Sequence, residues 1–313
     1  MLAYIARRIL TTVPVVIMVA IVIFTLLRLT PGDPAAVIAG DDASPAQLEA
    51  IRVQMGLNLP VHEQFLTWAW SLAQGNLGTS LLSGTPVTEL IADRMGPTIA
   101  LAISTMTFTL LIAIPIGLIA AWRHGRILDR LVMMLSVLGF SIPTFVVGYL
   151  LIYLFSLKLG WFPVQGYRTL SNGFFEFAQR LVLPTIALSS VYVALIARIT
   201  RSSVIEVMNE DFIRTARAKG VKESTVFLRH ALRNAAVPIV TIVGIGVAAL
   251  IGGVVVTESV FNIPGLGRLV VEAVLARDYP IIQGVILLFS FVYIIINLVV
   301  DVLYTVFDPR ITY

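Results

Sequence analysis

Charge punctuates this chain. Six apolar intervals hold no Asp, Glu, Lys or Arg: Arg8 to Arg28, Arg94 to Arg123, Arg130 to Lys158, Arg180 to Arg198, Arg233 to Glu258, and Asp278 to Asp301. An α-helix rises about 1.5 Å per residue, so about 20 apolar residues cross the hydrocarbon core of a bilayer. Backbone amides in lipid must be satisfied inside the segment, so each interval reads as a transmembrane helix. The fourth is the shortest, with Pro184 near its start. Prolines at 14, 115, 143, 184 and 238 are tolerated in such helices and are expected to kink them. The expected fold is an all-α membrane protein with six transmembrane helices. Residues 1–29 carry the N-terminus and first span, 30–96 form a helical extracytoplasmic insertion, and 97–313 form a five-span core.

Six spans put both termini on one side of the membrane. Fourteen of the 22 Lys and Arg fall on that side and eight on the other. Basic residues are retained in the cytoplasm, so both termini are expected there. The apolar run after Arg7 and Arg8 lacks a small-residue cleavage site before Thr30–Pro34, so it reads as a retained span and not as a secretory signal. In the insertion, Ser44-Pro45-Ala46-Gln47 has the form of a helix start, with a stop expected near Gly56. Pro60 to Gln74 predicts a second short helix with Phe65, Trp68, Ala69 and Leu72 on one face, and Thr85-Pro86 starts a third. This region is either a cap or contact for an external partner, or a membrane-surface covering with Trp68 and Trp70 at the interface.

Within the spans, Gly139 to Pro143 interrupts the third. Glycine and proline at mid-span either open a helix that lines a cavity or permit a bend. Ser141 and Pro143 are candidates for a substrate path, as are Gly252, Gly253 and Glu258 at the outer end of span five. Gly244, Gly246, Gly252 and Gly253 also let helix backbones approach closely, within the chain or against a second, similar subunit. Asp301 reads as an interfacial charge paired with a basic loop.

Composition agrees: 58% of residues are hydrophobic and 13% charged, against about 25% charged in soluble domains. Basic residues lie between apolar spans without aromatic interleaving, so nucleic acid is not an expected partner; membrane lipid is. The chain has no cysteine, hence no disulfide or Cys-based metal site. His62, His124 and His230 all fall in predicted loops, so no serine within a span has an intramembrane histidine as base. No paired intramembrane carboxylates or buried proton relay stand out. HExxH is absent, as is GxxxxGK followed by Ser or Thr, so the chain does not itself cradle ATP phosphates. No catalytic residue, metal site or resident cofactor is expected. The simplest reading is a passage driven from elsewhere.

One polar stretch stands apart. Arg198 to Asn234 lies between two apolar intervals and holds eight of the 22 basic residues. Val204, Met208, Phe212 and Ala216 recur every four residues and predict one apolar helix face. Glu206, Glu210 and Asp211 precede the basic residues, the order that suits the helix dipole. Gly220 is expected to end that helix in the left-handed conformation. Lys222 to Arg233 predicts a second helix with Val226, Phe227, Ala231 and Leu232 available for burial. A helix–glycine–helix knob on the cytoplasmic side reads as a docking surface; a lipid anchor needs the charge but not the glycine break.

The residues then point to a family. Arg7-Arg8, Thr30–Pro34, Gly75–Ser80, Arg198–Arg201, Asp211–Gly220, Ala231–Asn234, Glu258–Phe261, Pro264–Arg268, Arg277–Pro280 and Asp308–Arg310 together resemble the permease subunits of ATP-binding-cassette importers, in the dipeptide/oligopeptide/nickel branch. The resemblance runs end to end and implies a type I importer permease fold in a bacterial or archaeal cytoplasmic membrane. It also implies that loop 198–234 carries the "EAA…G" motif that inserts into a groove of an ATPase subunit. Gly220 is then the motif glycine and Ala216 its second alanine. Arg214 and Thr215 replace the glutamate and first alanine, Leu232 matches the later leucine, and Arg233 replaces a proline. Phe212, Arg214, Thr215, Ala216, Arg217, Ala218, Lys219 and Gly220 are the implied coupling residues. The implied partners are a homologous second permease, two ATPase subunits that bind ATP and Mg, and an extracytoplasmic substrate-binding protein, which residues 30–96 would contact. The implied cargo is a peptide, with nickel complexes, glutathione and opines as alternatives in the same family. Outside the family stand an ion-coupled secondary transporter and a non-transporting scaffold.

Overall fold

The computed structural model describes residues 2–29, 34–39, 44–54 and 56–307. Thr30–Asp33, Asp308–Arg310 and the side chains of Arg7 and Arg8 lie outside the described residues. Among those described, every regular element is helical apart from one isolated antiparallel bridge, Thr79 with Pro86. The chain divides into two compact units, Met1–Gly96 with Pro264–Ile295, and Pro97–Ile263 with Ile296–Tyr313.

The first unit begins with α1 (Leu2–Leu29), followed by α2 (Pro34–Ala39), α3 (Pro45–Gln54) and α4 (Val61–Ala73). The expected capping box on α3 is present: Ser44 N donates to Gln47 Oε1 at 2.9 Å and Gln47 N to Ser44 Oγ at 3.3 Å. Phe65 and Trp68 of α4 pack on Phe24 of α1, with ring centroids 5.1 and 5.4 Å apart. The start at Thr85-Pro86 does not open a separate short helix. It opens α5 (Val87–Trp122), which runs unbroken through the second apolar interval. Later in the chain, α13 (Leu266–Ala276) and the first half of α14 (Tyr279–Phe307) belong to this unit too. Its core is Val87, Ile91, Leu266, Leu269, Ile282 and Val285.

In the second unit, the expected third span is two arms, α6 (Ile127–Ser141) and α7 (Thr144–Leu151), the latter continued by a π-helical stretch Ile152–Lys158, and the break falls at the Gly139–Pro143 segment where a bend was expected. The two arms meet at 99°. Pro143 caps α7 and cannot donate to the preceding turn, so α6 ends at its door. After the 3₁₀ turn Leu170–Asn172 comes α8 (Phe174–Met208), the hub, which packs on α6, on α7 and on α12 (Ala236–Phe261). Between α8 and α12 lie α9 (Asp211–Ala218), α10 (Glu223–Thr225), a π-helical turn Val226–Ala231 and α11 (Leu232–Asn234).

Among the described residues, four helices are long and apolar enough to cross a membrane, with the bent pair as a fifth candidate; α1 contributes the shorter apolar run Leu10–Thr25. Lipid gives no hydrophobic drive for helix to meet helix, so contact depends on close fit. Glycines on α12 supply it. A Cβ on Gly244 would stand 2.3 Å from Val300 Cγ2, and one on Gly253 would stand 2.7 Å from Leu188 Cδ1.

Candidate functional site

The basic loop begins where α8 ends. Asn209 and Glu210 turn the chain out of the helix, with Asn209 N bonding Glu206 O and Glu210 N bonding Val207 O. Glu210 takes an extended conformation as the N-cap of α9. This break overturns the single helical face expected from Val204, Met208, Phe212 and Ala216. Restarting the helix shifts its phase by one residue: Ile213 is fully buried, while Phe212 is 42% exposed. Ile213 joins Val204, Val226, Phe227, Ala231 and Ile239 in a core beneath the loop, with Ala216 and Val221 packed against it. The second segment buries Val226, Phe227 and Ala231 as expected, through a π-helical turn and not a plain α-helix.

Gly220 is left-handed, with φ +75°. Its N–H bonds Arg217 O at 2.9 Å, and Val221 N–H bonds Ala216 O at 3.2 Å. This pair of bonds is the Schellman closure, and it fixes the exit angle of the chain. A Cβ at Gly220 would meet nothing within 4 Å, so backbone conformation and not space requires glycine there. Arg214, Thr215, Arg217, Ala218 and Lys219 are exposed along with Phe212. Arg217 holds Glu223 across the turn, Nη2 to Oε1 at 2.6 Å and Nε to Oε2 at 3.1 Å. The guanidinium keeps the Glu223 carboxyl below its ordinary pKa, and the carboxylate raises that of Arg217. The knob thus presents one aromatic ring among basic groups above the core that Ile213 joins.

Sequence reasoning missed the group that holds the base. Asp129, on the first turn of α6, is buried, and Arg201 of α8 grips both its oxygens, Nε on Oδ1 and Nη2 on Oδ2, the latter at 2.8 Å. Gly125 N adds a bond at 2.9 Å. His124 Nδ1 lies 3.0 Å from Arg201 Nη2 and 3.1 Å from Asp129 Oδ2; it accepts from the first in one tautomer and donates to the second in the other. On the same turn Trp122 packs edge-on against Phe227, centroids 4.9 Å apart. The turn between α5 and α6 is therefore tied both to the helix that enters the loop and to the segment that leaves it.

The candidate path residues fall into different settings. Ser141 and Pro143 are exposed at the α6–α7 elbow, where Ser141 Oγ bonds Val137 O at 2.8 Å. Gly252 is exposed and a Cβ there would meet nothing, whereas Gly253 is packed against Leu188 and Tyr192. Glu258 is enclosed, and Thr98 Oγ1 donates to its Oε1 at 2.6 Å. The structure does not bring these five residues together into one surface.

The sequence matches the family model described as binding-protein-dependent transport system inner membrane component over residues 113–313, and the model of that family's N-terminal region over residues 1–102. A probable peptide ABC transporter permease protein of Sinorhizobium fredii is 50% identical over 310 residues, 99% of each chain. A glutathione transport system permease protein of Salmonella typhimurium is 45% identical over the full length of both. Among solved structures, an inward-facing MetNI methionine ABC transporter superposes with a TM-score of 0.59 at 18% identity, covering 71% of this chain and 97% of that one. That likeness concerns the fold.

Proposed function

Because the chain belongs to the binding-protein-dependent transport system inner membrane components, we propose that it is the peptide permease subunit of an ATP-driven importer and that α9 is where the motor grips it. The carrying observation is the knob itself: Phe212 and the basic residues face outward on a helix that the Gly220 closure ends and buried Ile213 seats, while the Asp129–Arg201 pair ties α8 to α6 behind it. A pull on α9 reaches α8 across two residues, Asn209 and Glu210, and reaches α6 through Asp129. Hydrolysis of ATP, with its Mg, is assigned to two partner ATPase subunits. A homologous permease completes the passage, and an extracytoplasmic binding protein delivers the cargo. Both termini and the 198–234 loop face the cytoplasm in this reading. Gly252 and the elbow at Ser141 and Pro143 are the surfaces left for the path or the second permease; Glu258 acts as a tie within the unit.

Peptide is the cargo favoured by the name of the Sinorhizobium relative. Glutathione is the second reading, favoured by the name of the Salmonella relative at 45% identity. The test is reconstitution in liposomes with the partner subunits and binding protein, comparing wild type with Phe212→Asp and Gly220→Trp. Both variants should lose at least tenfold in ATP-dependent uptake of a labelled peptide, through lost ATPase binding or uncoupled hydrolysis. Normal assembly and normal uptake in both would rule the docking role out. Uptake of glutathione in preference to di- and oligopeptides would select the second cargo.

A further inference from the structure

Arg198 and Arg201 stand one turn apart on α8 and are satisfied differently. Arg201 grips Asp129. Arg198 is exposed and, among the described residues, has neither an ion-pair nor a hydrogen-bond partner. It also closes the fourth charge-free interval. An arginine at the end of an apolar span either lifts its head into the lipid headgroups or faces a wet passage, where it marks a substrate path.

The surroundings of Arg198 favour the passage. It lines a cleft of about 100 Å³ together with Ser136, Phe140 and Ser141 of α6 and Ala194 of α8. The two helices touch beside it: a Cβ on Gly139 would stand 3.3 Å from Ser190 O and 3.4 Å from Ala194 Cβ. Ser141 ends α6 at the bend, where the last carbonyls lack helical partners, so this end of the cleft suits water and polar cargo. Ser136 Oγ donates to Val132 O and Ser141 Oγ to Val137 O, both at 2.8 Å, so each serine proton is committed to its own helix. The donors left for a ligand are those of the Arg198 guanidinium, a planar fork that fits both oxygens of one carboxylate. Among the described residues, no Asp or Glu lines the cleft to compete for it. The volume lies well below the about 300–1,000 Å³ of a pocket for a whole small ligand, so it suits one anionic end group.

We infer that this cleft is a subsite for the carboxylate of the cargo in transit, with Arg198 as its bidentate partner. This rests on the peptide-permease reading above; a peptide C-terminus and glutathione both present such a group.

The experiment uses the assembled importer in liposomes at saturating loaded binding protein and compares uptake of a labelled tripeptide with uptake of its C-terminal amide. Dividing the wild-type rate by the variant rate for each peptide removes the binding protein's own preference. Arg198→Gln should lose at least tenfold for the free acid and less than twofold for the amide. Arg198→Lys, which keeps the charge but not the fork, should lose about threefold for the acid. In the wild-type complex, where misfolding of a variant plays no part, the free acid should slow phenylglyoxal modification of Arg198 at least fivefold by mass spectrometry, and the amide should not. Equal losses for the two peptides in Arg198→Gln, or no loss for either, overturn the subsite. So does protection of Arg198 by phosphatidylglycerol, against phosphatidylcholine alone, where the free acid gives none: the anion is then a lipid phosphate. A wild-type complex that imports neither peptide overturns the peptide reading, and the subsite with it.

Discussion

Asp129 and Asp278 are both buried carboxylates, one in each compact unit, and they are satisfied in opposite ways. Asp129 faces a cation, Arg201, whose own side chain is 18% exposed. Asp278 is held by neutral donors, Ser80 Oγ and Leu81 N, the latter at 3.2 Å. Each joins segments far apart in sequence. The difference lies in what is left behind when one side is removed. At Asp129 the remainder is an unpaired charge in a poorly solvated place; at Asp278 it is a hydroxyl and an amide. The ionic knot is therefore the brittle one, and it is the one beside the proposed site of motor attachment.

The sharpest way to break the contrast is Asp129→Ala. Breaking a buried ion pair from one side costs about 3–5 kcal/mol, and unfolding of the purified permease in detergent should show that loss. Arg201→Ala should match it, and the double variant should cost less than the two singles added. Additive costs would show that the two side chains do not act on each other.

Asp278→Ala should cost less, about 1–3 kcal/mol for stranded buried donors. Asp278→Asn should recover most of that loss in the same unfolding measurement, because its carbonyl still accepts. Asp129→Asn should recover little. Equal rescue at both positions would erase the distinction between ionic and neutral knots.

Gly220→Ala tests backbone instead of charge. Forcing an L-residue into the left-handed region costs about 1–2 kcal/mol. Amide exchange should accelerate in α9 while α6 stays unaffected.

The smallest effect belongs to the exposed pair Arg217–Glu223, with side chains 42% and 50% exposed. Such pairs contribute about 0–1 kcal/mol and are screened by salt. The Glu223 pKa is depressed in the folded protein, so the contribution is present above the unfolded carboxylate pKa and fades as pH falls through the lower folded value. Glu223→Gln should flatten that acid-side slope in exchange rates of the 211–223 segment, and 0.5 M salt should do the same.

What was legible in the sequence was whatever depends on near neighbours. Charge-free intervals marked the apolar helices, Ser44 and Gln47 formed their box, and Gly220 ended its helix left-handed. The Phe212 face was misread because periodicity assumes an uninterrupted helix, and the break at Asn209–Glu210 moves burial to Ile213. Pro86 opened a helix that simply runs on into the second apolar interval, a continuation no local signal forbids. Arg201 with Asp129 and Asp278 with Ser80 were invisible because their partners lie 72 and 198 positions apart. A lone Asp beside a turn reads as solvated until the fold closes over it.

The elbow between α6 and α7 also carries a solvation debt. Each arm is 15 residues, about 22 Å at 1.5 Å per residue and so shorter than a hydrocarbon core of about 30 Å. Near the turn, the last carbonyls of α6 and the first amides of α7 have no partners within their own helices. Ser141, Ile142 and Pro143 are exposed there. Acyl chains cannot hydrate such groups, and backbone of this kind is tolerated at membrane depth only against protein or along a wet cavity. Lipid is thus the one solvent the elbow cannot face, and a bilayer holding this chain alone would have to thin or admit water beside Pro143.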